Sequence, residues 1–599
     1  MRHYALLLPV ATTLLTGLAT AKPDDAPPAP AAPTATAAPS AKAAPEIAAG
    51  PGDDREKAPA PLAFAERLVL EPGRIQLTQA TPTSMSFELH GEAQLRFRAA
   101  TDLRLEPRIG AAPGTGATLG QSFYLYEWLR VRPVFRYKKD LEIVAEVDVP
   151  RGIALGDTTT HVSAAKDDYA ELAFYGVEPR QLYLQYRLPF GLVRAGQQAA
   201  HWGSGILAND GDHATQFGDY RRGSLVERLL FATRPLGEDT PLVLAVAGDL
   251  VFKDARASLV GEIPDGVTPA EELGGADGAF NDPAELHGRD RAMQLVAAAR
   301  WETKQATVGL YGVYRNQERD ARSLERLTDF TEELEVGVID FAGKVNAKLP
   351  GAAAFFFAEW ELAYITGRTT YLRNVELLQR GEEEAIRAWG GSAKVGVVRV
   401  SGEGPRAFGD LVLAFEYGHA SGDADPYDGV SRRFTFDQNY NVGLVLFDHV
   451  LAWKTARSAT LAQDPEITFR PAPGIEFLPS EGAIFGASYV NPTVVVRPRR
   501  WLDLKGGVVV AQTTADFVDP FRAGAFGNYA SYDGGDETAH DLGIELDLGA
   551  DARIPLAPGL LMQTGVEGGV LFPGGAFDAA DGTGLGTQYL VNAKLGAQF

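Results

Sequence analysis

Arginines recur at every second position in several short stretches of this chain. Arg96 and Arg98 form one pair, Arg130, Arg132 and Arg136 a second group, and Arg187, Arg194 and Arg497 follow singly. Carboxylates keep the same spacing at Glu88, Glu92, Glu142, Glu146, Asp148, Glu359, Glu361, Glu545 and Asp547. Alternating cations on one face of an extended chain can do two things. They can pair with carboxylates across a sheet and stiffen it. They can also form a basic constriction that binds an anionic solute, because rings of Arg or Lys select anions in pores.

Other clusters carry less. Asp423, Asp425 and Asp428 look like half a calcium loop. Tyr427 stands where that pattern needs an oxygen ligand, and Pro426 disturbs the spacing, so a turn cluster is the default and calcium the weak alternative. The stretch from His201 to Asp212 (HWGSGILANDGD) puts Ser204 near His201, with no third member or oxyanion donor to complete a triad. His201, Asp210, Asp212 and His213 lack the spacing of a metal site. No Walker loop, dinucleotide fingerprint or zincin motif occurs. The expectation is no enzyme, no cofactor and no resident metal.

The elements that carry these residues alternate with period 2. Phe87, Leu89, Leu95 and Phe97 are apolar, against Glu88, His90, Glu92, Gln94, Arg96 and Arg98. The same alternation recurs around Leu141–Asp148, Gln181–Arg187 and Asp541–Leu548. This is the signature of strands with one apolar face. Arginines on the opposite face cannot turn to lipid without a cost of about 2–4 kcal/mol each at mid-depth.

The connections separate a membrane barrel from a sandwich. Short links recur at Lys138–Asp140, Pro189–Gly191, Pro235–Thr240, Thr303–Gln305, Leu349–Gly351, Ser401–Gly409, Pro498–Arg500 and Pro555–Gly559. Long Gly/Asp-rich links lie between them, near Arg108–Gln121, Arg151–Glu178, Ala199–Ser224, Lys253–Asp290, Gln317–Glu335, Thr369–Gly390, Ser421–Gly482, Thr514–His540 and Pro573–Gly586. Eight short turns alternating with nine long loops predict an all-β, antiparallel up-and-down barrel of about 18 strands. It would occupy residues 84–599. The final strand alternates up to the terminal Phe599, a pattern resembling the signal read by barrel-insertion machinery.

Ahead of the barrel, residues 1–21 read as a signal peptide: Arg2 and His3, an apolar run to Leu18, and the cleavage motif Ala19-Thr20-Ala21. Residues 22–80 read as a disordered Ala/Pro-rich linker on the periplasmic side. With 56 Lys+Arg against 78 Asp+Glu the net charge is −22, which argues against a nucleic-acid partner. The absence of cysteine removes thiolate metal sites, Cys nucleophiles and disulfides. The chain is expected in the outer membrane of a Gram-negative bacterium, with lipid around it.

Two passages resemble the alginate-export family of outer-membrane barrels. One is Phe415-Glu416-Tyr417-Gly418-His419-Ala420-Ser421-Gly422-Asp423, followed by Pro426, Asp428-Gly429 and Phe434-Thr435-Phe436-Asp437. The other is Val193-Arg194-Ala195-Gly196-Gln197-Gln198 leading into Trp202-Gly203, with Gln197 where that family has Arg. The resemblance implies a porin-like barrel whose electropositive lumen passes an anionic polysaccharide outward, coupled to periplasmic export partners. Uptake of small anions or sugars is the alternative, and a plugged adhesin-like barrel or an outer-membrane hydrolase are further ones. The residues expected to touch an anionic solute are Arg96, Arg98, Arg130, Arg132, Arg136, Arg187 and Arg194. Trp202 and Asn209 join them on a loop whose apolar Trp202, Ile206 and Leu207 should fold against the inner wall and narrow the pore.

Overall fold

The computed structural model describes residues 85–105, 117–119, 123–156, 178–212, 215–218, 223–237, 240–253, 291–320, 331–350, 353–370, 383–399, 410–463, 480, 482–499, 501–557 and 559–599. The expected signal peptide, the linker and the Ser401–Gly409 turn lie outside the described residues.

Eighteen long strands run in chain order. They are β1 (Met85–Ala100), β2 (Phe123–Tyr137), β3 (Leu141–Gly156), β4 (Glu178–Leu188), β5 (Gly191–Ala199), β6 (Leu225–Thr233), β7 (Leu242–Lys253), β8 (Arg291–Glu302) and β9 (Ala306–Asp320), then β10 (Thr331–Lys348), β11 (Ala354–Thr369), β12 (Glu384–Arg399), β13 (Asp410–Ala420), β14 (Ala487–Arg499), β15 (Leu502–Thr513), β16 (Asp541–Ala557), β17 (Leu560–Pro573) and β18 (Gln588–Gln598). Each pairs antiparallel with the next, and β1 pairs with both β2 and β18, so the sheet closes. The sheet holds 19 strands in all; the extra one is the two-residue segment Val430–Ser431 against β12. Closure leaves no strand edge unpaired.

The alternation sets the faces. Phe87 is 68% exposed on the outside and Leu548 72%, while Arg96, Arg98 and Arg130 are buried inside. Exposed Tyr137, Phe190, Trp301 and Trp501 lie at the short-turn rim, and exposed Phe123, Tyr364, Trp389 and Phe572 toward the long-loop end. Two aromatic girdles around an apolar outer face suit a bilayer. Leu542 departs from the alternation: it is 1% exposed despite sharing parity with Ile544. The β15–β16 register shifts between Ala511 and Gln512, beside Gly543 at φ 106°, and this bulge turns Leu542 inward.

Several strands run past their expected ends, among them β3, β9 and β12. Pro498 and Pro555, expected in turns, lie near the ends of β14 and β16 at register shifts, Pro498 inside the one between Val496 and Arg499 and Pro555 at the one between Pro555 and Ala557, where a missing N–H is tolerated. The long links between strands are designated L1 to L9 in order: 101–122, 157–177, 200–224, 254–290, 321–330, 370–383, 421–486, 514–540 and 574–587. L7 carries a wide helical turn (Leu446–Leu451) that continues into α1 (Ala452–Gln463), and L8 carries α2 (Pro520–Phe526). Asp519 caps α2 by accepting from Phe521 N at 3.0 Å.

The core is made by these loops, not by the wall alone. Leu103 and Leu119 of L1, Ile206 and Phe217 of L3, and Phe434, Phe436, Leu446 and Trp453 of L7 are buried in one cluster. Phe517 of L8 and Phe577 of L9 join it. The wall meets them with small side chains, Ala363, Ala388, Ala420 and Ala511, alongside larger ones such as Tyr489, Leu571 and Leu590. Small wall residues leave room inside an 18-strand barrel for packed loops.

Candidate functional site

L3 crosses the lumen and is fastened to the wall at three places. The first is on β9–β11. Trp202 stacks on Tyr311 with ring centroids 5.0 Å apart, and its indole N–H donates to Asp340 at 3.0 Å. Gly309 and Ala342 make the socket; a Cβ on Gly309 would meet Trp202 at 2.7 Å. Next to it, Glu361 Oε2 accepts from the backbone N–H groups of Ser204, Gly205 and Ile206 at 2.6, 2.8 and 3.3 Å.

The second fastening is on β2–β4. Arg130 makes a bidentate pair with Asp148 (2.7 and 3.1 Å) and reaches Asp212 of L3 at 3.0 Å. Arg180 donates to Asp212 (3.2 Å) and to the Asp210 carbonyl (2.9 Å), and pairs with Glu146 at 3.1 Å. The third is on β14, β15 and β17. Gln216 donates to the Val494 and Gly506 carbonyls, its own carbonyl accepts from Lys505 at 2.7 Å, and Gly218 N donates to Glu567.

L7 is stitched to L3 and to other parts of the wall. Asp437 N donates to the Ile206 carbonyl at 2.7 Å, and the Asp437 carboxylate accepts from Asn209 N and Ser224 Oγ. Glu545 on β16 accepts from Leu444, Val445 and Leu446 N–H groups at 2.5, 2.7 and 2.7 Å. Tyr440 donates to Glu416 on β13 at 2.8 Å, and Asp448 pairs with Arg98 on β1 at 3.0 Å. Lys454 of α1 pairs with Asp533 of L8 at 2.7 Å.

Beside these loops, against β8–β12, lies a cavity of about 350 Å³. Val313, Val336, Val338, Ile365 and Ile386 give it an apolar wall. Arg315, Gln294, Gln317 and Glu384 stand among them, and Arg433, Asp423 and Asp516 face them from the loops. Arg433 lies over the Phe485 ring at 4.0 Å, and burial lowers its guanidinium from the usual range. Asp423 is pushed the other way: burial holds its carboxyl above the ordinary aspartate range, against hydrogen bonds from Arg432 N and Asp425 N. Such a lining can hold the apolar body of a small organic solute and orient its charged ends.

The residues expected to touch solute have other surroundings. None of Arg96, Arg98, Arg130, Arg132, Arg136, Arg187, Arg194, Trp202 and Asn209 lines this cavity. Arg96 donates to Gln94 at 2.7 Å and lies over Trp128; Arg98 and Arg130 hold L7 and L3. Arg132 sits 3.9 Å from Glu146, and Arg136 pairs with Glu88 and Glu142 at 2.7 Å each. Arg194 donates to Gln185 and covers Tyr183; Arg187 is exposed near the short-turn end of β4. Arg497 pairs with Asp503 at 2.5 Å. Arg98, Arg130, Arg132, Arg136 and Arg497 thus stand opposite carboxylates of a neighbouring strand or loop, whereas Arg194 meets Gln185 and Arg96 meets Gln94 of its own strand. Trp202 and Asn209 do lie on the inward loop, and both are buried in it; the Asn209 side chain donates to the Gly205 carbonyl and accepts from Gly211 N.

Asp423, Asp425 and Asp428 build turns: they accept from Asp425 N, Tyr427 N and Val430 N respectively. Ser204 Oγ donates to Glu361 and lies 2.9 Å from Ser392 Oγ, while His201 lies 3.8 Å from Asp210. Sequence reasoning passed over Arg180, Arg315 and Arg433. Arg315 had a signal, the inward run Tyr311, Val313, Arg315, Gln317 on one strand face. Arg433 had none, since nothing local shows that L7 turns back into the barrel.

No protein-family profile matches the chain, and no curated protein matches it either. Among solved structures, the chain aligns with OpdK of Pseudomonas aeruginosa with vanillate at 8% identity, covering 86% of this chain and 99% of that one, with a TM-score of 0.44. It aligns with OccK9 (OpdG) of the same organism at 10% identity, covering 86% and 99%, with a TM-score of 0.43. OccAB1 of Acinetobacter baumannii aligns at 9% identity over 85% and 97%, with a TM-score of 0.40.

Proposed function

We propose that this protein is an outer-membrane channel through which small solutes diffuse, along the cavity between its lumen loops and β8–β12. The closed barrel with an apolar outer face and aromatic girdles supports the location. The observation that carries the size class is L3, tied to β9–β11, β2–β4 and β14–β17 by the contacts above. A passage beside such a bridge suits a small molecule. Uptake of small anions or sugars therefore fits better than outward passage of a polysaccharide, which would need L3 and L7 to leave the lumen. The channel does no bond chemistry; its residues set size and charge. Phe599 closing the last strand supports assembly by the barrel-insertion machinery.

The test is conductance of the purified full-length protein in planar bilayers, with reversal potentials in a salt gradient, beside swelling of liposomes in sugars of graded size. The expected result is unitary steps and swelling that falls steeply with solute size. A silent barrel, or equal passage of oligosaccharides and monosaccharides, would refute the reading.

A further inference from the structure

The two lumen loops are held by the same device. Each presents three successive backbone N–H groups to one buried wall carboxylate: Ser204, Gly205 and Ile206 to Glu361, and Leu444, Val445 and Leu446 to Glu545. Each run follows a glycine in the left-handed region, Gly203 at φ +59° and Gly443 at φ +71°. A Cβ there would come within 2.4 Å of Glu361 Oε2 and 2.7 Å of Glu545 Oε1. Such a run of N–H groups wrapped on an anion is a nest, and charge-assisted bonds are its strongest form. Both carboxylates are almost fully buried and stand on strands five apart in the ladder. Between them L3 and L7 are joined by Asp437 and by one apolar cluster. The two loops thus form one body, and these two nests are two of the points at which the wall grips it.

We propose that Glu361 and Glu545 are positioning residues that set the bore of the channel, each by gripping one lumen loop through its three N–H groups. This rests on the channel reading above. Neither residue is placed to meet solute, because both are sealed behind the loop they hold. Their effect reaches the passage through Leu207 and Ala208 of L3 and Arg433 and Asp437 of L7, which line the cavity. Replacing either anion by a neutral amide leaves its three N–H groups on a weaker, uncharged acceptor, and the loop then samples positions away from the wall.

The test compares wild type, Glu361→Gln, Glu545→Gln and the double variant in planar bilayers, with barrel assembly checked by heat-modifiable gel migration. Each single variant is expected to raise unitary conductance about twofold or to add frequent open-channel steps, and the double variant to exceed both. Because the chain has no cysteine, rescue is direct. Ser204 and Ser392 have Oγ atoms 2.9 Å apart, so Ser204→Cys with Ser392→Cys can bridge L3 to β12. Oxidation of that pair in the Glu361→Gln background should restore wild-type conductance, and a reductant should remove the rescue. Assembled variants that conduct as wild type does, or a formed disulfide that rescues nothing, would overturn this inference while leaving the channel reading intact. Wild type and variants all silent would overturn both. If Glu361→Gln fails to assemble, the cysteine pair beside native Glu361 decides: oxidation should lower open-channel noise, and a formed disulfide without that effect counts against the proposal.

Discussion

A single guanidinium in this barrel means different things on different strands. Arg130 is enclosed by Asp148, Glu146 and Asp212, and its charge is spent inside the wall. Arg315 lines the cavity. Arg315→Gln should therefore move the reversal potential toward cation selectivity with little change in assembly. Arg130→Gln should instead weaken the fold, because it removes the bidentate partner of buried Asp148, at a cost on the order of 3–5 kcal/mol. A lower unfolding midpoint for Arg130→Gln than for Arg315→Gln is the check, and the opposite order would contradict the assignment. Asp423 adds a pH dependence. Its carboxyl, buried beside Asp428 and Arg432, titrates above the ordinary aspartate range. As pH falls through that raised range the cavity loses a negative charge while Arg315 keeps its positive one. Anion selectivity should thus rise on acidification, at a higher pH than an exposed aspartate would give. Asp423→Asn should show the acid-side selectivity at neutral pH and lose this step; a reversal potential with the same pH profile in both proteins would exclude the role.

At the scale of elements, L3 depends on a socket of small residues. Gly309→Leu would place a side chain where the Trp202 ring lies, since even a Cβ comes within 2.7 Å of it. The ring then loses its stack on Tyr311 and its bond to Asp340. Larger unitary conductance and red-shifted tryptophan emission are expected, and unchanged values of both would show that the socket does not hold the loop. The inward fold of L3 was legible in the sequence, because Trp202, Ile206 and Leu207 are too apolar for a solvated loop. So were the strands: period 2 around Phe87 and Leu182 reports the lipid face directly, and the link lengths give the count. The site was not. Strand phase says that Arg96 and Arg315 both point inward, yet it is silent about which loop lies across which strand. The grip of Glu361 on L3 joins residues 157 apart in sequence, and that of Glu545 on Leu444 joins residues 101 apart. Such pairings are decided by loop packing, which leaves no local periodicity to read.

For the whole molecule, the decisive step is closure of β18 on β1. Ladder bonds join Gly91 and Phe599 in both directions, each N–H donating to the other's carbonyl at 2.9 Å. The Phe599 ring covers Gly91 so closely that a Cβ there would lie 2.2 Å from it. The first and last strands thus meet at a glycine shaped to receive the terminal aromatic ring. All loop fastenings depend on this closure, since L3 and L7 are anchored on strands from β1 to β17 and an open sheet would spread those anchors apart. Gly91→Val should slow or prevent closure, because its branched side chain meets the ring at the end rung of the β1–β18 ladder. Phe599→Ala in the same chain removes the ring and should recover part of the lost assembly, although Phe599→Ala alone also gives up the terminal aromatic. The measurement is the fraction of heat-modifiable barrel during folding into lipid vesicles. Recovery in the double variant would place the conflict between these two residues. Equal loss in Gly91→Val with and without Phe599 would place it in the strand backbone, and the fit of ring to glycine would then not be what closes the barrel.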